Sequence, residues 1–112
     1  MKQALTWWAF VGSSSYSPEE VMTAAKQMGF AAMEMMQPEQ IPMVKDHGLE
    51  VALLTGHDSL GDGMNDPDNH DRIASELSAK IEIAAENDVP VLCCFSGNRR
   101  FGLRSGFGLR CL

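Results

Sequence analysis

The chain has 112 residues, of which 45% are hydrophobic and 21% charged; this excludes a disordered tail, a fibre or a disulfide miniprotein and fits one soluble globular domain. No run of about eighteen apolar residues occurs, so no membrane span is expected. Nine basic against fifteen acidic residues leave a net charge of −6, which argues against nucleic acid as a partner.

Ala4 to Val11 is short, apolar and aromatic-rich and reads as a first strand, ended by Gly12-Ser13-Ser14-Ser15. Lys2 before this stretch suggests an export signal, but two tryptophans interrupt it and no small-residue cleavage site follows. A helix opens next. Ser17 caps it, Pro18 occupies the first helical position where no donor is needed, and Glu20 completes a capping box. Val21, Ala25 and Met28 share its apolar face, and Gly29 supplies the left-handed residue that stops it.

Phe30 to Met36 reads as a second strand, with Met33, Met35 and Met36 as core filling. Pro38 to His47 is a short helical piece weakened by Pro42 and closed by Gly48. Glu50 to Thr55 is a third strand, with Val51, Ala52, Leu53 and Leu54 burying both of its faces. A glycine-rich loop from Gly56 to Asn65 ends at Asp66-Pro67, a cap and first-turn proline for the longest helix. That helix runs to Asn87, with Ile73, Leu77, Ile81 and Ala84 as a stripe at helical spacing. Val91 to Phe95 follows Pro90 as a fourth strand.

Strands alternating with helices predict an α/β fold of parallel strands joined by three crossover helices. Ligands of such folds bind beyond the carboxyl ends of the strands. Residues 1–98 form the folded domain and 99–112 an irregular basic tail. The last seventeen residues carry four arginines and no acid, and Phe101-Gly102-Leu103-Arg104 recurs as Phe107-Gly108-Leu109-Arg110. A basic nucleic-acid arm and a solvated, disordered end are the two readings of that composition, and the second is preferred. Cys93, Cys94 and Cys111 are odd in number and lack metal-ligand spacing, which suits a reducing, cytoplasmic setting.

The candidate ligand-binding residues lie just past the strands. His57 could bind a substrate oxygen or shuttle a proton, or could instead be a loop histidine bonded to a local carbonyl. Glu34 is a carboxylate inside an apolar strand, which is costly unless it has a partner, a task or exposure at the strand end. Ser96, Asn98 and Arg99 offer a hydroxyl, a carboxamide and a guanidinium to an oxyanion or polyol, although glycine with asparagine also makes an ordinary turn. Trp7 and Trp8 face opposite ways in a strand, so one packs in the core and the other under helices or at the mouth, where Trp8 would meet a substrate, although core packing is the preferred reading for each. No phosphate loop, zinc pattern or nucleophile elbow is present.

Trp7-Trp8-Ala9-Phe10, Ser17-Pro18-Glu19-Glu20, Met33-Glu34-Met35, Val44-Lys45-Asp46-His47-Gly48-Leu49, Gly56-His57-Asp58-Ser59-Leu60, Asn69-His70-Asp71-Arg72-Ile73 and Cys94-Phe95-Ser96-Gly97-Asn98-Arg99 occur in this order. Together they resemble the amino-terminal part of hydroxypyruvate isomerase-like proteins, of the xylose isomerase-like sugar isomerase and epimerase superfamily. The resemblance covers about residues 3–100. It implies the first half of a (β/α)8 TIM barrel, carbohydrate metabolism, and a small hydroxy-carbonyl or sugar substrate. It also implies a divalent metal, Mg or Mn, that polarises the carbonyl while two glutamates pass a proton through an enediol. On this sequence His57 and Glu34 match family positions near the mouth, and Ser96 to Arg99 match the loop after the fourth strand.

Such a barrel takes about 250 residues, and the family's metal ligands and catalytic glutamates come from later strands. No catalytic residue or metal ligand is therefore assigned here, and no tightly bound metal is expected. The expectation is a truncated or frameshifted relative, inactive alone, whose open barrel edges favour self-association. A small non-enzymatic α/β module that pairs with itself and binds a small polar ligand is the alternative.

Overall fold

The computed structural model describes residues 1–12 and 14–99. The repeated Phe-Gly-Leu-Arg segment, Cys111 and the basic tail from Arg100 onward lie outside the described residues. The fold is α/β. Four parallel strands, β1 (Ala4–Thr6), β2 (Ala32–Met36), β3 (Glu50–Thr55) and β4 (Leu92–Cys93), form one sheet in the order β1-β2-β3-β4.

The first strand is shorter than the sequence suggests. It stops at Thr6, and Trp7–Phe10 forms a single helical turn, α1, closed by the Val11 amide donating to the Trp7 carbonyl at 2.8 Å. An apolar run cannot distinguish a buried strand from a strand that turns into a helix, because periodicity needs more residues than this. Consequently the two tryptophans do not alternate across a sheet. Trp7 packs against the core, whereas Trp8 is 62% exposed.

Helix α2 (Pro18–Gln27) starts as its sequence dictates: the Glu20 amide donates to the Ser17 hydroxyl, and the Ser17 amide donates to the Glu20 carboxylate at 2.7 Å. Gly29, at φ +87°, terminates it. Its buried face is Val21, Met22 and Ala25. Met28 sits at the C-cap, past the last helical residue, and is exposed, contrary to its place in the apolar spacing. A 3-10 turn (Pro38–Gln40) leads into α3 (Ile41–Asp46), where Pro42 falls in the first turn and needs no donor, so it is accommodated.

A second 3-10 turn (Pro67–Asn69) leads into the longest helix, α4 (His70–Glu86). Ile73 and Ala84 are buried, but Ile81 is exposed. Each four-residue step gains about 40° on a helix, so Ile81 has rotated roughly 80° away from Ile73. Ile83 packs against the core instead.

One apolar cluster joins the helices to one face of the sheet. Met22 of α2, Val44 of α3 and Ala84 of α4 meet Met33, Met36, Val51 and Leu54. Two compensating irregularities make this possible. Met33 pairs with Val51, Glu34 with Leu53 and Met36 with Leu54, so an extra residue in β3 is followed by an extra residue in β2. Met35, at φ +57°, is the extra residue in β2. The paired bulges let residues three apart in each strand face the same core. Ala52 and Leu53 are only half-buried, so β3 is not buried on both faces as its composition suggests.

The fourth strand is likewise shorter than Val91–Phe95, and the reason is a side chain. The Leu54 amide donates to the Val91 carbonyl and the Gly56 amide to the Cys93 carbonyl at 2.8 Å. The next partner in line is not backbone: the Phe95 amide donates to the His57 imidazole at 2.9 Å.

Candidate functional site

The carboxyl ends of the strands surround a cleft of about 460 Å³. Trp7 and Trp8 enter it from the turn after β1, Met35 and Met36 from the bulged end of β2, and Leu60 and Phe95 from the loops after β3 and β4. Gln37, Gln40 and Thr55 are its polar lining. Lys80 of α4 donates to Gln37 Oε1, and the Gln37 amide donates to Gln40 Oε1 at 2.7 Å. A second cavity, of about 540 Å³, opens at the amino ends of the strands, near Lys2, Ala32, Glu50 and Asn87. Parallel α/β sheets bind ligands at the opposite end, where the crossover loops can vary freely, so the first cleft is the candidate site.

Of the residues assigned to substrate binding from the sequence, Trp8 is the one that lines this cleft. Glu34 stands one residue before Met35 and accepts a hydrogen bond from the Thr6 hydroxyl at 2.8 Å. Thr6 and Glu34 are register partners on the sheet face opposite Leu5 and Met33. The carboxylate is half-buried and has this neutral partner.

His57 is wholly buried and both its ring nitrogens serve the backbone. Nδ1 lies 2.9 Å from the Asp58 carbonyl, and Nε2 accepts from the Phe95 amide at 2.9 Å and stands 3.3 Å from the Phe95 carbonyl, contacts that fit a donor on Nδ1 and a lone pair on Nε2. The Phe95 ring meets the imidazole edge to face at 5.6 Å. In this arrangement neither nitrogen is offered to a ligand, and of the two readings open in the sequence the geometry matches the local carbonyl contact.

Ser96, Asn98 and Arg99 are exposed, and the first two are bound through their backbone to the loop after β3. The Asn65 amide donates to the Ser96 carbonyl at 2.8 Å and the Asn98 amide to the Gly61 carbonyl at 2.9 Å, while the Asn65 carboxamide donates to the Asn98 carbonyl. The crossing is tight: a Cβ on Gly63 would lie 2.2 Å from the Gly97 nitrogen.

A polar clamp behind this loop was not foreseen. Glu76 of α4 accepts from the Asp58 amide at 2.8 Å and from Arg72 at 2.9 Å, and Arg72 also donates to the Asp62 carbonyl. Burial pushes the Glu76 carboxyl upward, but the Asp58 amide and the Arg72 guanidinium outweigh it and hold the group below its ordinary range. The four-residue spacing of Arg72 and Glu76 was its sequence signal.

The lining residues Met35, Gln37 and Gln40 were also missed, since a strand-end bulge and a glutamine cap carry no motif. A divalent ion takes several oxygen ligands. Among the described residues no group of three or more His, Cys, Asp or Glu side chains that could hold one is found. No helix among the described residues is long and apolar enough to cross a membrane. Compared with models of known protein families, with curated proteins and with solved structures, the chain matches none of them.

Proposed function

We propose that these segments are the amino-terminal part of a xylose isomerase-like (β/α)8 barrel of the hydroxypyruvate isomerase-like kind, and that this chain binds a small hydroxy-carbonyl compound without converting it by itself. The observation that carries the reading is the strand order β1-β2-β3-β4, all parallel and never reversed. Right-handed crossovers that always advance in one direction put every helix on one face, as in a barrel wall. A doubly wound sheet reverses its order and covers both faces. The helix-free face, which bears Thr6 and Glu34, then corresponds to a barrel interior, and the cleft to its mouth.

In this reading the ligand lies against Trp8, its carbonyl accepting from the Gln37 and Gln40 carboxamides. Titrating the isotope-labelled chain with hydroxypyruvate and with a tetrulose tests it. The indole of Trp8 and the methyl of Met35 are expected to shift, with no ketose–aldose interconversion when Mg or Mn is present. Turnover by the purified chain would refute binding without conversion. Unmoved signals at saturating ligand would refute the substrate class.

Self-association belongs to the same proposal. Strands β1 and β4 each pair on one side, so both edges of the described sheet are open to another strand. A defined dimer in sedimentation velocity supports pairing through these edges, and a monomer at high concentration removes it. Free Cys93 and Cys94 thiols accord with a cytoplasmic setting, which is also part of this reading.

A further inference from the structure

We infer that the cleft selects a neutral hydroxy-ketone with an aromatic or bulky apolar substituent over an open-chain sugar, an inference that rests on reading this cleft as the hydroxy-carbonyl site. The lining supplies two arguments, one from its walls and one from its hydrogen-bonding inventory.

The walls are aromatic and thioether side chains, chiefly Trp7, Trp8, Met35 and Phe95, and no charged side chain is among the lining residues. Such a surface gains by taking a ring out of water and stacking it, and loses by stripping water from hydroxyls it cannot rebond. At about 460 Å³ the cleft also has room for a ring and not merely a three-carbon chain.

The unengaged hydrogen-bonding capacity of the polar groups is weighted towards donors. The oxygens of both carboxamides are engaged, Gln37 Oε1 by Lys80 and Gln40 Oε1 by the Gln37 amide. Each NH2 remains, and among the described residues it meets no acceptor. The Thr55 hydroxyl likewise has no partner among the described residues. A ketone oxygen uses such donors fully. A tetrulose brings several hydroxyl donors of its own, and the side-chain acceptors of the lining are few: the Thr55 oxygen and the second lone pairs of two carboxamide oxygens that already accept one bond each.

Calorimetric titration with three probes decides the matter: 2-hydroxyacetophenone, acetophenone and erythrulose. The first is expected to bind at least about tenfold more tightly than erythrulose, a difference of ~1.4 kcal/mol. It should also exceed acetophenone, which lacks the hydroxyl. Trp8→Ala, at an exposed position, should weaken 2-hydroxyacetophenone by about three- to tenfold through the lost ring contact. Leu60→Ala, also exposed, should act in the same direction, and circular dichroism confirms that both variants fold. Erythrulose binding as tightly as 2-hydroxyacetophenone would overturn the apolar selectivity and leave the hydroxy-carbonyl site standing. Acetophenone matching 2-hydroxyacetophenone would instead overturn the hydroxy-carbonyl reading. If none of the three binds, both fall together.

Discussion

Replacing His57 with alanine tests whether this histidine is a structural element of the sheet. Its Nε2 stands where β3 no longer offers a backbone acceptor to β4, and its Nδ1–H ties down the start of the next loop. Removing the ring orphans the half-buried Phe95 amide, at about 1–3 kcal/mol. It also leaves a cavity of the kind that costs about 3–5 kcal/mol when an aromatic ring is lost from a core. The two effects share atoms and do not sum, so a total of about 3–5 kcal/mol is expected. Because domains of this size have roughly 5–15 kcal/mol of stability, the variant retains little. Urea denaturation gives the total, and amide hydrogen exchange at Phe95 gives the local effect. His57→Phe keeps the packing and orphans the amide, and should cost about 1–3 kcal/mol. A loss below about 1 kcal/mol in His57→Ala, or unchanged protection at Phe95 in His57→Phe, would refute the role given to the ring.

The remaining predictions concern neighbouring features. Gly63→Ala places a methyl 2.2 Å from the Gly97 nitrogen and 2.3 Å from the Ser96 carbonyl carbon, so a loss of at least about 2 kcal/mol is expected in urea melts. Gly29→Ala meets no atom within 4 Å and should cost only about 1–2 kcal/mol for its left-handed backbone. Glu76 has a folded-state pKa below its ordinary 4.5, so its contribution is complete above that value and lost as pH falls through the lower folded one. Glu76→Gln should therefore flatten the acid limb of stability against pH, and an unchanged limb would contradict the clamp. Burial, and secondarily Cys93, raises the Cys94 thiol. Alkylation of native protein at mildly alkaline pH, followed by peptide mass spectrometry, should find Cys94 slower to react than in the urea-unfolded chain.

Local signals in the sequence were sufficient for some elements and not for others. The Ser17-Pro18-Glu20 box fixes the start of α2, and the alternation of strands and helices anticipates the parallel sheet, since both depend on neighbours along the chain. The candidate site was less legible. Of the residues assigned to substrate binding from the sequence, Trp8 lines the cleft beyond the strands, whereas Glu34, His57, Ser96, Asn98 and Arg99 are not among its lining residues. His57 was legible as an unusual residue but not as a ladder partner, because its two hydrogen bonds depend on Phe95, thirty-eight positions away, and on the turn at Asp58.

Composition, capping residues and the spacing of apolar runs determined by themselves that this chain forms parallel strands linked by helices, because those signals act through backbone propensity and one-dimensional periodicity. Tertiary structure alone decided that the first strand yields to a helical turn at Trp7, that Met35 bulges, and that the backbone of Ser96 and Asn98 braces the loop after β3. Each of these is settled by which buried amide finds which partner across the fold, a choice made only once the strands have come together.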